Sequence, residues 1–148
     1  MAQEDSMGKI NWGRVLLGGL LAGVVNNLLQ FILNRLYLFR EWGEIIEPES
    51  QQPGGAEFPW LFVALNLLAG VFVVWLYAMI RPRCGPGPKT AALAGLVFWL
   101  VSAMGPITLW SLSGMFPPIP AGLWATHLGT YLGIAIVMSL AGAWPYRE

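Results

Sequence analysis

No aspartate or glutamate interrupts any of the four long apolar stretches of this sequence. That lack removes the buried acid which acid–base catalysis or a membrane proton relay would need inside a helix. A proton-coupled antiporter of the small multidrug type, which depends on a glutamate in its first helix, is disfavoured for the same reason. The matching region here offers Asn26 and Asn27. Charge is scarce throughout: Asp, Glu, Lys and Arg make up 11% of the 148 residues, against about 25% in a soluble globular domain. One cysteine, Cys84, excludes an internal disulfide and a cysteine metal cluster. One histidine, His127, excludes an HExxH zinc motif and a haem held by two histidines of one chain. There is no P-loop and no GxGxxG fingerprint, and the Gly-Pro-Gly-Pro run at 85–88 lacks the strand-turn-helix context of a nucleotide loop. No basic patch stands apart from the membrane flanks, so nucleic acid is not an expected partner. The opening residues lack the short apolar core and cleavage site of a signal peptide, so the first helix is expected to stay as a signal anchor.

What remains is 56% hydrophobic, with a mean hydropathy of +0.60, and its apolar residues fall in blocks. The expected fold is all-α: one integral membrane domain over 1–148, with four transmembrane helices in an up-down bundle. The helices are expected at about 12–39, 58–81, 90–110 and 121–144. Asn11 is placed to cap the first. Pro59 suits the first turn of the second, which should stop before Pro82. Thr90 can cap the third, and Pro106 should kink it after Gly105.

Lys9, Arg14, Arg81, Arg83, Lys89 and Arg147 fall on one side of this arrangement, and Arg35 and Arg40 on the other. The positive-inside rule then puts both termini and the 82–89 turn on the cytoplasmic side. The acidic 40–57 loop and the uncharged, proline-rich third loop face outside. Trp12, Trp42, Trp60, Trp110 and Trp144 fit the aromatic belt, whereas Trp75, Trp99 and Trp124 are left to pack against lipid, pigment or a partner.

Two patterns lie inside the spans. Gly19 with Gly23, Ala91 with Gly95, and Gly129 with Gly133 are small residues four apart, the spacing that lets helix backbones approach. Asn27, Gln30 and Asn34 are three and four apart, hence on one helical face, with Asn26 at its edge. Lipid cannot satisfy an amide, so these groups must meet protein, water or a ligand. Asn66, Thr108, Thr126, His127 and Thr130 lie at similar depth on the other helices. The polar groups of all four helices therefore gather in one leaflet. Hydrogen bonds between helices explain such a cluster, and so does a cavity open to the outside. His127 has three readings: a packing residue, an axial ligand to haem iron or chlorophyll magnesium, or a ligand-binding or proton-relay group.

Three further stretches carry a resemblance. They are Asn11-Trp12 with Arg14 to Gly19 and Ala22-Gly23; Trp75 to Ala78 with Ile80 to Arg83, Gly85 and Gly87 to Thr90; and Ala141 to Trp144 with Tyr146 and Glu148. In these the chain resembles a group of small bacterial inner-membrane proteins with no assigned activity. The resemblance covers about a third of the chain, marks helix ends and turns, and implies a bacterial four-helix membrane protein with no functional residue to carry over.

The first functional expectation is a non-enzymatic accessory subunit that packs beside other membrane subunits, of a respiratory or photosynthetic complex for example, or beside itself. The second is a small oligomeric transporter or channel built around Asn27, Gln30, Asn34, Asn66, Thr108, His127 and Thr130. The third is a haem- or chlorophyll-binding subunit using His127. No cofactor is required by the first two.

Overall fold

The computed structural model describes residues 10–33, 35, 36, 59–104 and 120–146. Its elements are α1 (Trp12–Leu33), α2 (Pro59–Cys84), α3 (Pro88–Trp99) with a π-helical continuation over Leu100–Met104, and α4 (Ala121–Ala143). No strand occurs among the described residues. The chain is therefore all-α, and α1, α2 and α4 are long and apolar enough to cross a membrane. α3 with its continuation is shorter, Pro88–Ala103. The stretches expected to extend α1 to 39 and α3 to 110 lie outside the described residues.

Local chemistry sets the ends. The Asn11 side chain accepts from the Arg14 N–H at 3.2 Å, satisfying one of the first-turn donors that a helix leaves open. α2 runs past Pro82, contrary to the sequence expectation, and ends at Cys84. A proline this close to a C-terminus removes one backbone bond and leaves the final turn intact, closed by Gly85 N–H to the Arg81 carbonyl at 2.8 Å. Gly85 (φ 80°) and Gly87 (φ 140°) supply the backbone reversal that follows. α3 then starts at Pro88, two residues earlier than expected. Thr90 is not its cap; the hydroxyl donates back to the Gly85 carbonyl at 2.7 Å, tying α3 to the turn. The π turn comes just before Gly105-Pro106 in the sequence, where a proline ring would clash with the carbonyl four residues earlier.

The helices pack antiparallel in chain order. A Cβ added to Gly19 would lie 2.5 Å from Val71 Cα, and one on Gly23 would lie 2.6 Å from Leu67 Cα. The opposing small residue is Gly70, whose added Cβ would run into the Gly19 carbonyl oxygen and the Gly23 nitrogen. The Gly19–Gly23 pair thus sits at the α1–α2 crossing, with Gly70 as its counterpart. Gly18 meets Gly142 where α1 crosses α4, and Gly95 meets Ala135, with Ala91 buried beside it, where α3 crosses α4. Gly129 and Gly133 differ: a Cβ on either would meet nothing within 4 Å. Their expected role at a tight crossing is not seen among the described residues.

Packing is uneven along the bundle axis. The fully enclosed side chains Val15, Val73, Val74, Met138 and Ser139 all lie toward the end that carries the 85–87 turn. In the other half only Ala103 and Leu123 are buried hydrophobics among the described residues. The small residues draw the helices together at one end, and bulkier polar residues hold them apart at the other.

Candidate functional site

The amide groups fall in the open half. On α1, Asn26 is 3% exposed, the most buried amide. It faces α2 because it continues the buried stripe Val15, Gly19, Ala22, Gly23 one turn further. Its Nδ2 donates to Asn66 Oδ1 at 3.2 Å. Gln30 Nε2 donates to both Asn26 Oδ1, at 3.1 Å, and Asn66 Oδ1, at 3.2 Å. Asn66 Nδ2 donates to Asn27 Oδ1 at 3.1 Å, and Asn27 Nδ2 returns to the Gly23 carbonyl at 3.0 Å. The Tyr131 hydroxyl of α4 closes the network by donating to Gln30 Oε1 at 3.2 Å. The amides of α1 and α2 therefore bond to one another, and the phenol of α4 joins them.

Beside this network lies a cavity of about 490 Å³, which falls within the usual 300–1,000 Å³ of a small-molecule site. Asn26, Gln30, Asn66, Trp99, Ser102, His127 and Tyr131 give it a polar side. Leu65, Phe98, Ile134 and Met138 give it an apolar one. The π turn brings Ser102 and Ala103 to the wall; such turns recur at functional sites. Trp99 is fixed by donating its indole N–H to the Leu128 carbonyl at 3.0 Å. The His127 and Tyr131 rings stack with centroids 4.2 Å apart, which orients both toward the cavity. No carboxylate occurs among the described residues, and no three His, Cys, Asp or Glu among them lie together.

Of the residues singled out from sequence, Asn27, Gln30, Asn66 and His127 belong to this network or line the cavity. Thr130 does not. Its hydroxyl donates to the Thr126 carbonyl at 2.7 Å within its own helix, and its side chain lines a separate apolar groove with Leu29, Ile32, Gly133 and Val137. Thr126 is likewise spent on the Gly122 carbonyl at 3.0 Å. Asn34 and Thr108 lie outside the described residues. Sequence reading missed Tyr131, although it stands four residues after His127 and so on the same face. It also left Trp99 without a place.

The cavity does not continue as a polar path. The next polar side chains toward the turn end are Ser139 and Thr90, both buried. Ser139 donates to the Ala91 carbonyl at 2.6 Å. Between them and the amides stand Met138, Ala94 and Val74 with no exposed surface. No family model, curated protein or solved structure matches this chain.

Proposed function

We propose that this protein is a non-catalytic membrane protein that holds a neutral, amphipathic small molecule between its four helices. The carrying observation is the 490 Å³ cavity, to whose polar side all four helices contribute. Helix-to-helix hydrogen bonding alone would account for the amides but not for the room beside them. The lining has no charged side chain among the described residues, so a charged ligand would be stranded there, whereas hydroxyl or carbonyl oxygens would find amide, indole and phenol partners. The packed opposite half favours a blind pocket over a channel. Three apolar helices support a membrane location; the bacterial cytoplasmic membrane, with both termini inside, is the finer reading.

The test is native mass spectrometry of the protein released from mild detergent, with organic extraction of whatever it carries. Wild type should retain a small molecule that Ala69→Phe, which fills the cavity wall, loses while still eluting as a folded species. A bare chain mass, with thermal stability unmoved by Ala69→Phe, would sink the reading. A Soret or chlorophyll band lost in His127→Ala would replace it with axial ligation.

A second reading, an accessory or self-associating subunit, draws on the outward-facing Gly129 and Gly133 and the groove of about 310 Å³ beside Gly133. Its mark is a large particle on the same column.

A further inference from the structure

A second cavity, of about 370 Å³, lies at the opposite end of the bundle. Tyr77, Arg81, Pro86, Gly87, Trp144 and Tyr146 frame it. Neither the amide network nor the neutral cavity reaches it. Its two tyrosines are 3% and 4% exposed and meet edge to face at 5.8 Å.

The two phenols share an arrangement. Tyr77 Oη accepts the Gly87 N–H at 3.4 Å, and Tyr146 Oη accepts the Asn11 N–H at 3.3 Å. Each oxygen has given a lone pair to the backbone and still holds its proton. Neither O–H meets an acceptor among the described residues. A buried donor without an acceptor costs roughly 1–3 kcal/mol, so the pair calls for an acceptor in the cavity between them. Arg81 adds a positive charge to the same wall, with its guanidinium carbon 5.5 Å from the Tyr146 ring centroid. The side-chain polar groups described there are two hydroxyl donors and a cation, the complement of an anionic oxygen group.

The surroundings say what carries that anion. Arg14, Arg83 and Lys89 stand at this same end, as the chain order of the antiparallel helices requires. The rest of the lining includes Leu140, Ala143 and Trp144, and Trp144 is 69% exposed at the tip of α4, where an interfacial ring sits among headgroups. A polar recess beside an apolar, lipid-facing wall suits a phosphate with an acyl chain attached. Basic pockets between helices take acidic lipid headgroups in this way.

We propose that the Tyr77–Arg81–Tyr146 cavity binds phosphate, presented by the headgroup of an acidic phospholipid. The site is independent of the neutral-ligand reading, and the experiment below does not touch that cavity.

The full chain is reconstituted in nanodiscs of phosphatidylcholine containing a minor fraction of phosphatidylglycerol, then ejected for native mass spectrometry. Wild type should retain phosphatidylglycerol in preference to phosphatidylcholine. Arg81→Gln should cut that preference by roughly tenfold, the scale of one lost charge-assisted hydrogen bond. Tyr77→Phe with Tyr146→Phe, which keeps both rings and removes only the hydroxyls, should lower it as well. Arg83→Gln, an exposed cation outside the cavity, should lower it far less than Arg81→Gln. Equal loss in Arg83→Gln and Arg81→Gln would mean diffuse surface attraction and would overturn the proposal. So would retention indifferent to both Arg81→Gln and the double Phe variant, since water could then satisfy the phenols. A parallel arm adds inorganic phosphate to the lipid-depleted protein in detergent. Failure of millimolar phosphate to stabilise it supports a lipid-borne group. Stabilisation that Arg81→Gln abolishes, without lipid preference in nanodiscs, would overturn the lipid source in favour of the free ion.

Discussion

Replacing Gly70 by alanine adds one carbon at a close crossing of two helices. That carbon would meet the Gly19 carbonyl oxygen, the Gly23 nitrogen and, at 2.6 Å, the Gly23 Cα. All three are backbone atoms, so no rotamer change relieves the clash. Ordinary carbon contact begins at about 3.5 Å, so α1 and α2 must part by roughly 1 Å. Overpacking of this kind costs about 1–3 kcal/mol. The displacement also reaches the amides one turn away. The Asn26–Asn66 and Asn66–Asn27 bonds, now 3.2 and 3.1 Å, would stretch beyond bonding range. Interhelical bonds in membranes are worth about 0.6 kcal/mol each on average. Set against a gain of up to about 1 kcal/mol from helix propensity, the expected net loss is about 1–3 kcal/mol. Gly129→Ala is the control, since its new carbon meets nothing within 4 Å. It should gain up to about 1 kcal/mol from helix propensity alone. Reversible unfolding in mixed detergent micelles, followed by tryptophan fluorescence, measures both. A neutral Gly70→Ala would refute the close crossing. A Gly129→Ala as damaging as Gly70→Ala would place that glycine in a contact between copies.

Two smaller predictions follow from named groups. Asn66→Leu removes the partners of Asn26 Nδ2 and Asn27 Oδ1 and one of the two acceptors of Gln30, and should destabilise the protein by about 1–3 kcal/mol in the same unfolding assay; an unchanged midpoint would show that water already serves these amides. Cys84 is the sole cysteine and is exposed at the turn end. In intact cells a membrane-impermeant maleimide should leave it unlabelled until the membrane is opened, and prompt labelling would invert the orientation.

Much of the fold is legible from local pattern. The apolar blocks, the Asn11 cap and the Gly19–Gly23 spacing depend on neighbours in sequence, and each finds its place in the structure. Long-range partners are different. Nothing local says that Gly70, with no small residue four positions away at 66 or 74, faces Gly19 and Gly23, or that Gly129–Gly133 has no counterpart among the described residues. Spacing put Asn26 at the edge of the amide stripe because it considered one face of α1. Burial makes it central because α1 packs against α2 and α4 together. Thr130 misled for a related reason: in a helix a threonine hydroxyl can turn back to its own backbone, so depth alone does not aim it inward. Pro82 misled because its effect depends on how many turns remain after it.

The uneven packing also sets where this sequence can change over generations. Around Gly19, Gly23, Gly70, Gly95 and Gly142 almost any larger side chain collides with a neighbouring helix, so drift there is closed off. Around Leu65, Ala69, Phe98 and Ser102, which face open volume, substitutions alter the shape of a hollow and leave the crossings untouched. One scaffold could thus be retuned for different occupants without being rebuilt. Its descendants would diverge at one end of the membrane while staying nearly fixed at the other.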